Sequence, residues 1–288
     1  MILIADSGST KIYWAFVVEG EKEIERFETK GFNPVYHKPQ ILHDQVVANK
    51  PLLSKVRWIR EVHYYGAGCS NEKRRKIVQK GLGRIFTDAT IQVEHDLVAA
   101  IRATYEGSPC LVGILGTGSN LCHFDGTNVS QQTPSLGYIL GDEGSGGNFG
   151  RQLLKQYLYG NLPEAMTREF ESREITKDLV LDKVYNNPKA SEYMASFAPI
   201  LFKFKDEEIS QQIISKCLRT FFDHHLSAYK SSREIPVYLV GSIAFHFQEF
   251  IKDLADEFRI NIQKTLKQPM DGLVDYHRQK LTEKPDLW

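Results

Sequence analysis

The sequence predicts an α/β protein made of two similarly organised domains. Three observations predict it. A short apolar strand, Ile2-Leu3-Ile4-Ala5, runs into the turn Asp6-Ser7-Gly8-Ser9-Thr10-Lys11, after which apolar residues resume. The arrangement returns later, where Leu111-Val112-Gly113-Ile114-Leu115 runs into Gly116-Thr117-Gly118-Ser119 and a second strand, 120–124. After each opening, strand patterns alternate with helical ones, the order expected of α/β layers. A motif that occurs twice in the same context implies two domains of similar topology with a cleft between them.

The elements follow in order. Residues 12–18 form a second strand, Glu19-Gly20-Glu21 turns, and 23–30 alternate as a half-exposed third strand, giving an antiparallel meander. Gly31-Phe32-Asn33-Pro34 breaks the pattern. Residues 38–58 read as helix interrupted at Pro51. Residues 62–65 form a strand ending at Gly66-Ala67-Gly68, and Asn71 caps a basic helix through about Phe86. Residues 90–94 form a strand, followed by a helix over 97–105. The boundary then falls near residue 105, giving domains 1–105 and 106–269. Asp125-Gly126 is a turn signal. The glycine-rich stretch 137–147 leads into a helix over 148–159, and 161–231 read as helical throughout. Residues 235–240 form a strand ending at Gly241-Ser242, with a helix at 246–257 and a strand at 260–266. A last helix begins near Asp271, and the segment 270–288 is free to cross back to the first domain.

Composition sets bounds on function. The chain has 288 residues, enough for two domains, and 42% hydrophobic residues, as in ordinary globular proteins. Lys+Arg and Asp+Glu are both 36, so no global nucleic-acid or membrane-surface charge is expected. No apolar run approaches the roughly 20 residues needed to span a bilayer. The start, Met1-Ile2-Leu3-Ile4-Ala5-Asp6, lacks the basic region of a signal peptide, so a cytoplasmic location is expected. Cys69, Cys110, Cys122 and Cys217 are scattered without a CxxC pair and read as buried, reduced thiols.

The two turns carry the functional argument. Strand-to-turn segments of Gly, Ser and Thr present backbone amides without bulky side chains, which suits a phosphate. Two of them can hold a polyphosphate from both sides. Each alone also fits a plain hairpin turn. The Asp6 carboxylate at a strand end can assist Mg²⁺ through water, and Lys11 either adds a point charge or is solvated. Gly241-Ser242 is a simple strand-to-helix turn, or the flat seat for a base or ribose that strand ends offer in doubly wound sheets. Asp96 fits a helix N-cap, and equally a carboxylate that accepts a proton from a substrate hydroxyl. His95 beside it reads as packing or solvent-facing. Five glycines between 137 and 147, with Asp142 and Glu143, argue for close approach of the backbone to something. Asn33 is either a turn residue or an amide for a polyol. The His224-His225 pair lacks the i, i+4 spacing of a zinc pair.

Taken together, these segments resemble the phosphate-1, phosphate-2 and adenosine motifs of the actin-like ATPase (sugar kinase/Hsp70/actin) superfamily, whose two domains have the ribonuclease H-like fold. Leu115-Gly116-Thr117-Gly118-Ser119-Asn120, with Gly137-x-x-Leu140-Gly141-Asp142-Glu143-Gly144-Ser145, is similar to N-acetylglucosamine kinase and the BadF/BadG/BcrA/BcrD ATPase family. The resemblance implies an ATP- and Mg²⁺-dependent kinase acting on an amino sugar or related hexose. It implies Asp96 as catalytic base, and Asn33, Gly68, Asp96, Gly137 and Asp142 as the sugar site. It implies Asp6 near the metal and Gly8, Ser9, Thr10, Lys11, Gly116, Thr117, Gly118 and Ser119 at the phosphates. Gly241 and Ser242 would meet adenosine, with Gly272 as a further candidate. The partners implied are small molecules, ATP and a sugar, with no nucleic acid and no membrane. A homodimer is compatible with this.

Departures from the family pattern matter too. Leu136 stands where mammalian N-acetylglucosamine kinases carry a tryptophan. Gly66-Ala67-Gly68-Cys69 lacks a hydroxyl donor. The zinc motif of another bacterial sugar-kinase group is absent, so no zinc is expected. The dehydratase activators of the ATPase family hold an iron–sulfur cluster through glycine-flanked cysteines, and none of the four cysteines has that setting. Two rival readings stand beside it: an ATPase switch acting on a partner protein, which keeps the phosphate turns without needing Asp96 or Asn33, and a sugar- or nucleotide-binding regulator without turnover.

Overall fold

The computed structural model describes residues 1–21 and 23–282. The chain divides into two compact units: residues 1–105 together with the segment from Pro269, and residues 106–268.

The first unit is a five-stranded sheet. Its strands are β1 (Ile2–Ser7), β2 (Lys11–Val17), β3 (Arg26–Lys30), β4 (Glu61–Gly66) and β5 (Thr90–His95), in the order β3-β2-β1-β4-β5. β1, β2 and β3 form the antiparallel meander, and β4 and β5 add parallel to β1. β1 is central and apolar on both faces, as a doubly covered strand must be. Leu3 and Ala5 join Trp14 and Phe16 on one side, and Ile2 and Ile4 join Ala15 and Val17 on the other. The first side is covered by α1 (Pro39–Ala48), α2 (Lys50–Lys55) and α3 (Glu72–Leu82), the second by α4 (Asp96–Thr104) and the last helix, Met270–Thr282.

Local chemistry sets the helix ends. Asn71 caps α3, its side chain accepting from the Arg74 amide at 3.0 Å. The predicted break at Pro51 falls earlier, at Asn49, whose side chain caps α2 while Pro51 occupies the first turn. That is where proline is tolerated. α3 stops at Leu82 rather than near Phe86, with Gly83 as its C-cap. β3 starts at Arg26, so the predicted strand loses residues 23–25. The part of the predicted last helix over 283–288 lies outside the described residues.

The second unit repeats the sheet. β6 (Cys110–Leu115), β7 (Ser119–Phe124), β8 (Val129–Ser130), β9 (Val237–Val240) and β10 (Ile262–Leu266) lie in the order β10-β9-β6-β7-β8. β6 and β7 are antiparallel, and β9 is parallel to both β6 and β10. Read from β8, this is the order of the first sheet, with β6 in the place of β1 and β9 in that of β4. The predicted duplication is therefore real at the level of topology. Where the first unit inserts α1 and α2, the second inserts a helical block. It runs through α5 (Gly137–Leu140), α6 (Gly146–Leu158), α7 (Glu164–Glu171), α8 (Lys177–Tyr185), α9 (Ala190–Ala195), α10 (Ala198–Lys203) and α11 (Glu208–Phe221). A π-helical turn, Phe222–Leu226, extends α11. After β9 come α12 (Ser242–His246) and α13 (Gln248–Phe258). One apolar core binds the sheet to this block, with Phe149, Phe170, Phe197, Phe221 and Phe247 all buried.

Glycine sets how closely helices approach. A Cβ on Gly150 of α6 would lie 1.7 Å from the Met194 carbonyl of α9, and one on Gly272 of the last helix would lie 2.4 Å from the Ala103 carbonyl of α4. Close packing thus accounts for Gly272. All four cysteines are buried, and none of them forms a disulfide among the described residues. Among the described residues, no helix is long and apolar enough to cross a membrane.

Candidate functional site

Parallel pairing brings the carboxyl ends of β1, β4 and β5 level. Asp6 lies opposite Tyr65 and Tyr65 opposite Glu94, while Ser7 lies opposite Gly66 and Gly66 opposite His95. Ligands of open α/β sheets sit off this end. Asp6 is partly buried there, and Asp96 opens α4 beside it. Burial first, and the charge of Asp96 second, raise the Asp6 carboxyl to about 7. The two carboxylates therefore compete for solvation at one spot.

Asp96 is not the N-cap that its spacing allowed. His95 holds the cap position and Asp96 is the first helical residue. The Leu97 amide donates to Asp96 Oδ1 at 2.9 Å and is farther from His95 Nδ1, at 3.3 Å. His95 Nδ1 is itself 2.9 Å from Asp96 Oδ1. Burial of the ring works against protonation, but the hydrogen bond and charge of Asp96 outweigh it and move the His95 pKa up. His95 is thus a partner of Asp96 rather than packing. Behind it, burial and then the charge of Asp96 push the Cys69 thiol up to about 12, which keeps it protonated.

The first turn narrows to Gly8-Ser9-Thr10, since Asp6 and Ser7 belong to β1 and Lys11 to β2. Gly8 N–H donates to the Lys11 carbonyl at 2.9 Å and Gly31 N–H to the Thr10 carbonyl at 2.8 Å. The Ser9 and Thr10 amides have no hydrogen-bond partner among the described residues. Lys11 pairs with Glu28 on β3 at 2.6 Å, on the exposed side of the sheet. Asn33 is buried, with Oδ1 accepting from the Val35 amide at 2.9 Å. Gly68 lies against it: φ is +77°, and a Cβ there would be 2.3 Å from Asn33 Oδ1.

The second turn is Gly116-Thr117-Gly118, with Ser119 already in β7. The Gly116 and Thr117 carbonyls accept from the Gly146 and Gly147 amides at 2.8 and 3.0 Å. This docks the start of α6 onto the turn, and Ser145 Oγ takes the next amide, Asn148, at 3.1 Å. Residues 146 and 147, which the sequence placed in the loop, are therefore helical, and the first amides of α6 are already used. Gly116 N–H donates to the Gly118 carbonyl at 3.0 Å, and the Thr117 and Gly118 amides have no partner among the described residues. Ser119 Oγ is buried with no hydrogen-bond partner, a state that costs roughly 1–3 kcal/mol unless a water or ligand completes it.

Asp142, in left-handed backbone at φ 55°, brings its carboxylate under this turn. Its Oδ1 accepts from the Ser119 amide at 3.3 Å, and a Cβ on Gly118 would be 2.9 Å from its Oδ2. Burial raises the Asp142 pKa against the pull of that amide. Gly241 closes the other side. A Cβ there would lie 2.2 Å from the Leu115 carbonyl, and its φ of +130° excludes other residues without strain. Ser242 begins α12. Gly137 stands apart with open space around it, tied in through its carbonyl, which accepts from the Gly141 amide at 2.8 Å.

Within the first unit, then, Asp6, Asp96 and the 8–10 turn belong to one sheet end, while Asn33 and Gly68 form an adjoining pair. Within the second, Gly116, Thr117, Gly118, Ser119, Asp142 and Gly241 converge. The sequence reading passed over Gly31 as a mere break, although a Cβ there would lie 2.1 Å from the Ser9 carbonyl. Its position just before Phe32-Asn33-Pro34 was the available signal.

No family model matches the chain, and no curated protein does. Solved structures do. A candidate N-acetylglucosamine kinase from Porphyromonas gingivalis is 31% identical, with 98% of this chain and 100% of that one aligned and a TM-score of 0.89. A candidate N-acetylglucosamine kinase from Chromobacterium violaceum is 15% identical over 96% of this chain and 98% of its own, with a TM-score of 0.63. A ROK family glucokinase from Streptomyces griseus, solved with glucose and AMPPNP, is 16% identical over 96% and 97%, with a TM-score of 0.58. The latter two share the fold, two domains of the actin-like ATPase type. With 98% of its length aligned to the Porphyromonas protein at 31% identity, the chain belongs to the N-acetylglucosamine kinase-like family of the actin-like ATPase superfamily.

Proposed function

We propose that this protein transfers the γ-phosphoryl group of ATP to a sugar hydroxyl, with N-acetylglucosamine the first acceptor to test. The observation that carries this reading is the matched pair of turns. Each follows the central strand of its sheet and leaves two consecutive amides unpartnered, Ser9 and Thr10 in one unit and Thr117 and Gly118 in the other. Unpaired consecutive amides bind anions. The likeness to the Porphyromonas protein supports the choice of acceptor.

In this reading the 8–10 and 116–119 turns hold phosphates, and Gly241 and Ser242 meet the nucleoside. Lys11 has to leave Glu28 to join them. Asp96 takes the proton of the acceptor hydroxyl and His95 orients it. Asn33, beside Gly68, offers its amide to the sugar, and Gly137 and Asp142 complete the set. Asp6 and Asp96 fit a divalent cation as hard oxygen donors, because a positive charge would offset the burial, and then the charge of Asp96, that raise Asp6. Bound Mg²⁺ would neutralise phosphate charge. The amides of the turns, Asp96 and the sugar contacts do the positioning that phosphoryl transfer requires.

ADP release measured against a panel of hexoses tests this. Release should be stimulated by a sugar and fall about 10²- to 10⁴-fold in Asp96→Asn, the usual worth of a general base, with nucleotide binding retained. Release that ignores sugar and survives Asp96→Asn overturns the kinase reading.

A further inference from the structure

The second unit contains a buried polar chain that the proposed mechanism leaves unused. His225 lies in the π-helical turn, 7% exposed at its side chain. Its Nε2 is 3.0 Å from Glu143 Oε2 and its Nδ1 is 2.9 Å from Thr133 Oγ1. Glu143 follows Asp142 directly in the strained turn, and its side chain is 22% exposed. One ring thus ties three distant segments together: the stretch after β8, the 141–145 turn and the end of α11.

The arrangement has features of a built device. α-Helices switch to π geometry rarely, and often at functional sites, because the inserted residue re-aims a side chain. Here the insertion falls on the turn that carries His225. The ring packs on Phe221, 5.2 Å between centroids, which also lies against Gly144. Glu143 is therefore approached from behind by a fixed donor, while one edge of its carboxylate stays open. An ionised carboxylate has about four acceptor positions. His225 uses one and the Glu143 amide another, and together they outweigh burial and keep the Glu143 pKa low. The rest are available to donors from outside.

We infer that Glu143 is a second hydroxyl-accepting carboxylate beside Asp142 in the acceptor subsite, and that His225 is its positioning residue, set by the π-turn and by Thr133. The ligand class is a polyol with adjacent hydroxyls. The inference rests on the kinase reading for its choice of ligand, but not for its geometry.

Calorimetric binding of N-acetylglucosamine and glucose, run beside steady-state ADP release, separates the two. Glu143→Gln and His225→Phe should weaken sugar binding, and raise the acceptor KM, by about 10- to 100-fold, the worth of one hydrogen bond to a charged group. kcat should change less than threefold or so, as expected for lost uniform binding. His225→Asn, which keeps a donor, should recover part of the loss. Unchanged nucleotide affinity in each variant shows that the unit is folded. Sugar affinity and KM that stay within about twofold in both variants overturn the inference and leave the kinase intact. Sugar binding that depends on Glu143 without any phosphoryl transfer supports the inference and overturns the kinase. A protein that binds neither sugar overturns both.

Discussion

The two sheets share one strand order, yet their functional ends differ in kind. At the carboxyl end of β1, β4 and β5 the first unit gathers charge: Asp6, Glu94 and Asp96, with His95 held to Asp96. At the equivalent end of β6 and β9 the second gathers glycine: Gly116, Gly118, Gly146, Gly147 and Gly241, stitched by backbone hydrogen bonds. A duplicated topology thus carries titratable side chains at one end and close backbone contacts at the other. The comparison teaches that the fold supplies the place and the residue class supplies the chemistry.

The largest effects should come from the backbone contacts, since nothing there can give way. Gly241→Ala puts a Cβ 2.2 Å from the Leu115 carbonyl in left-handed backbone, and Gly31→Ala puts one 2.1 Å from that of Ser9. Each should destabilise its own unit by roughly 3 kcal/mol or more, seen as early thermal unfolding and local proteolysis. If the Gly241 variant keeps the wild-type melting profile, the second sheet end is not held by close approach and the contrast between the units fails.

How much of this was legible follows from the same contrast. Both turns, and the strands of both sheets other than β8, could be read from short apolar runs and glycines, because strand and turn signals are local. The helix cap at Asn71 was local too. The contacts of Asp96 were less so. Asp is a good cap, and only the structure shows His95 in that position with Asp96 one residue inside. Glu143–His225 was beyond reach, since the partners are far apart in sequence and a π-turn has no propensity signal. Glycines 146 and 147 looked like loop because helix propensity penalises them. Their carbonyl-bound amides and close contacts with Ser191 and Ala195 reverse that.

The charged end should answer to pH through Asp6. A carboxyl whose folded pKa is raised keeps its proton in the folded state between 3.8 and about 7, the Asp6 window. Stability is then lost as pH rises through that window, and the whole penalty stands above it. Asp6→Asn removes the penalty. It should stabilise the first unit at pH 8 by roughly 2–4 kcal/mol and do little near pH 4, read from urea midpoints at the two pH values. A gain that is equal at both would mean that Asp6 ionises without cost.

The smallest effect concerns another buried titrating group of the first unit, and it has the opposite slope. On the covered side of the sheet, Arg102 Nη1 donates to Tyr65 Oη at 2.6 Å, and Tyr65 Oη lies 2.8 Å from His277 Nε2. With Arg102 as donor, Tyr65 donates its own proton to His277, which accepts as a neutral ring. Burial, then the electrostatic influence of His63 and of the Arg102 guanidinium, lower the His277 pKa from 6.5 to about 3. The unfolded chain binds the extra proton between these values, so stability falls as pH drops from 6.5 toward 3. His277→Gln keeps an acceptor for Tyr65 and removes the titration. It should cost about 1 kcal/mol at pH 7 through lost ring packing against His63, and that cost should shrink or reverse by pH 4. Because the two slopes oppose each other between pH 4 and 6.5, each shows when the other is removed. The urea midpoint of Asp6→Asn alone should rise with pH across that range and that of His277→Gln alone should fall, and single variants with the same pH dependence would place the titrating groups of this unit elsewhere.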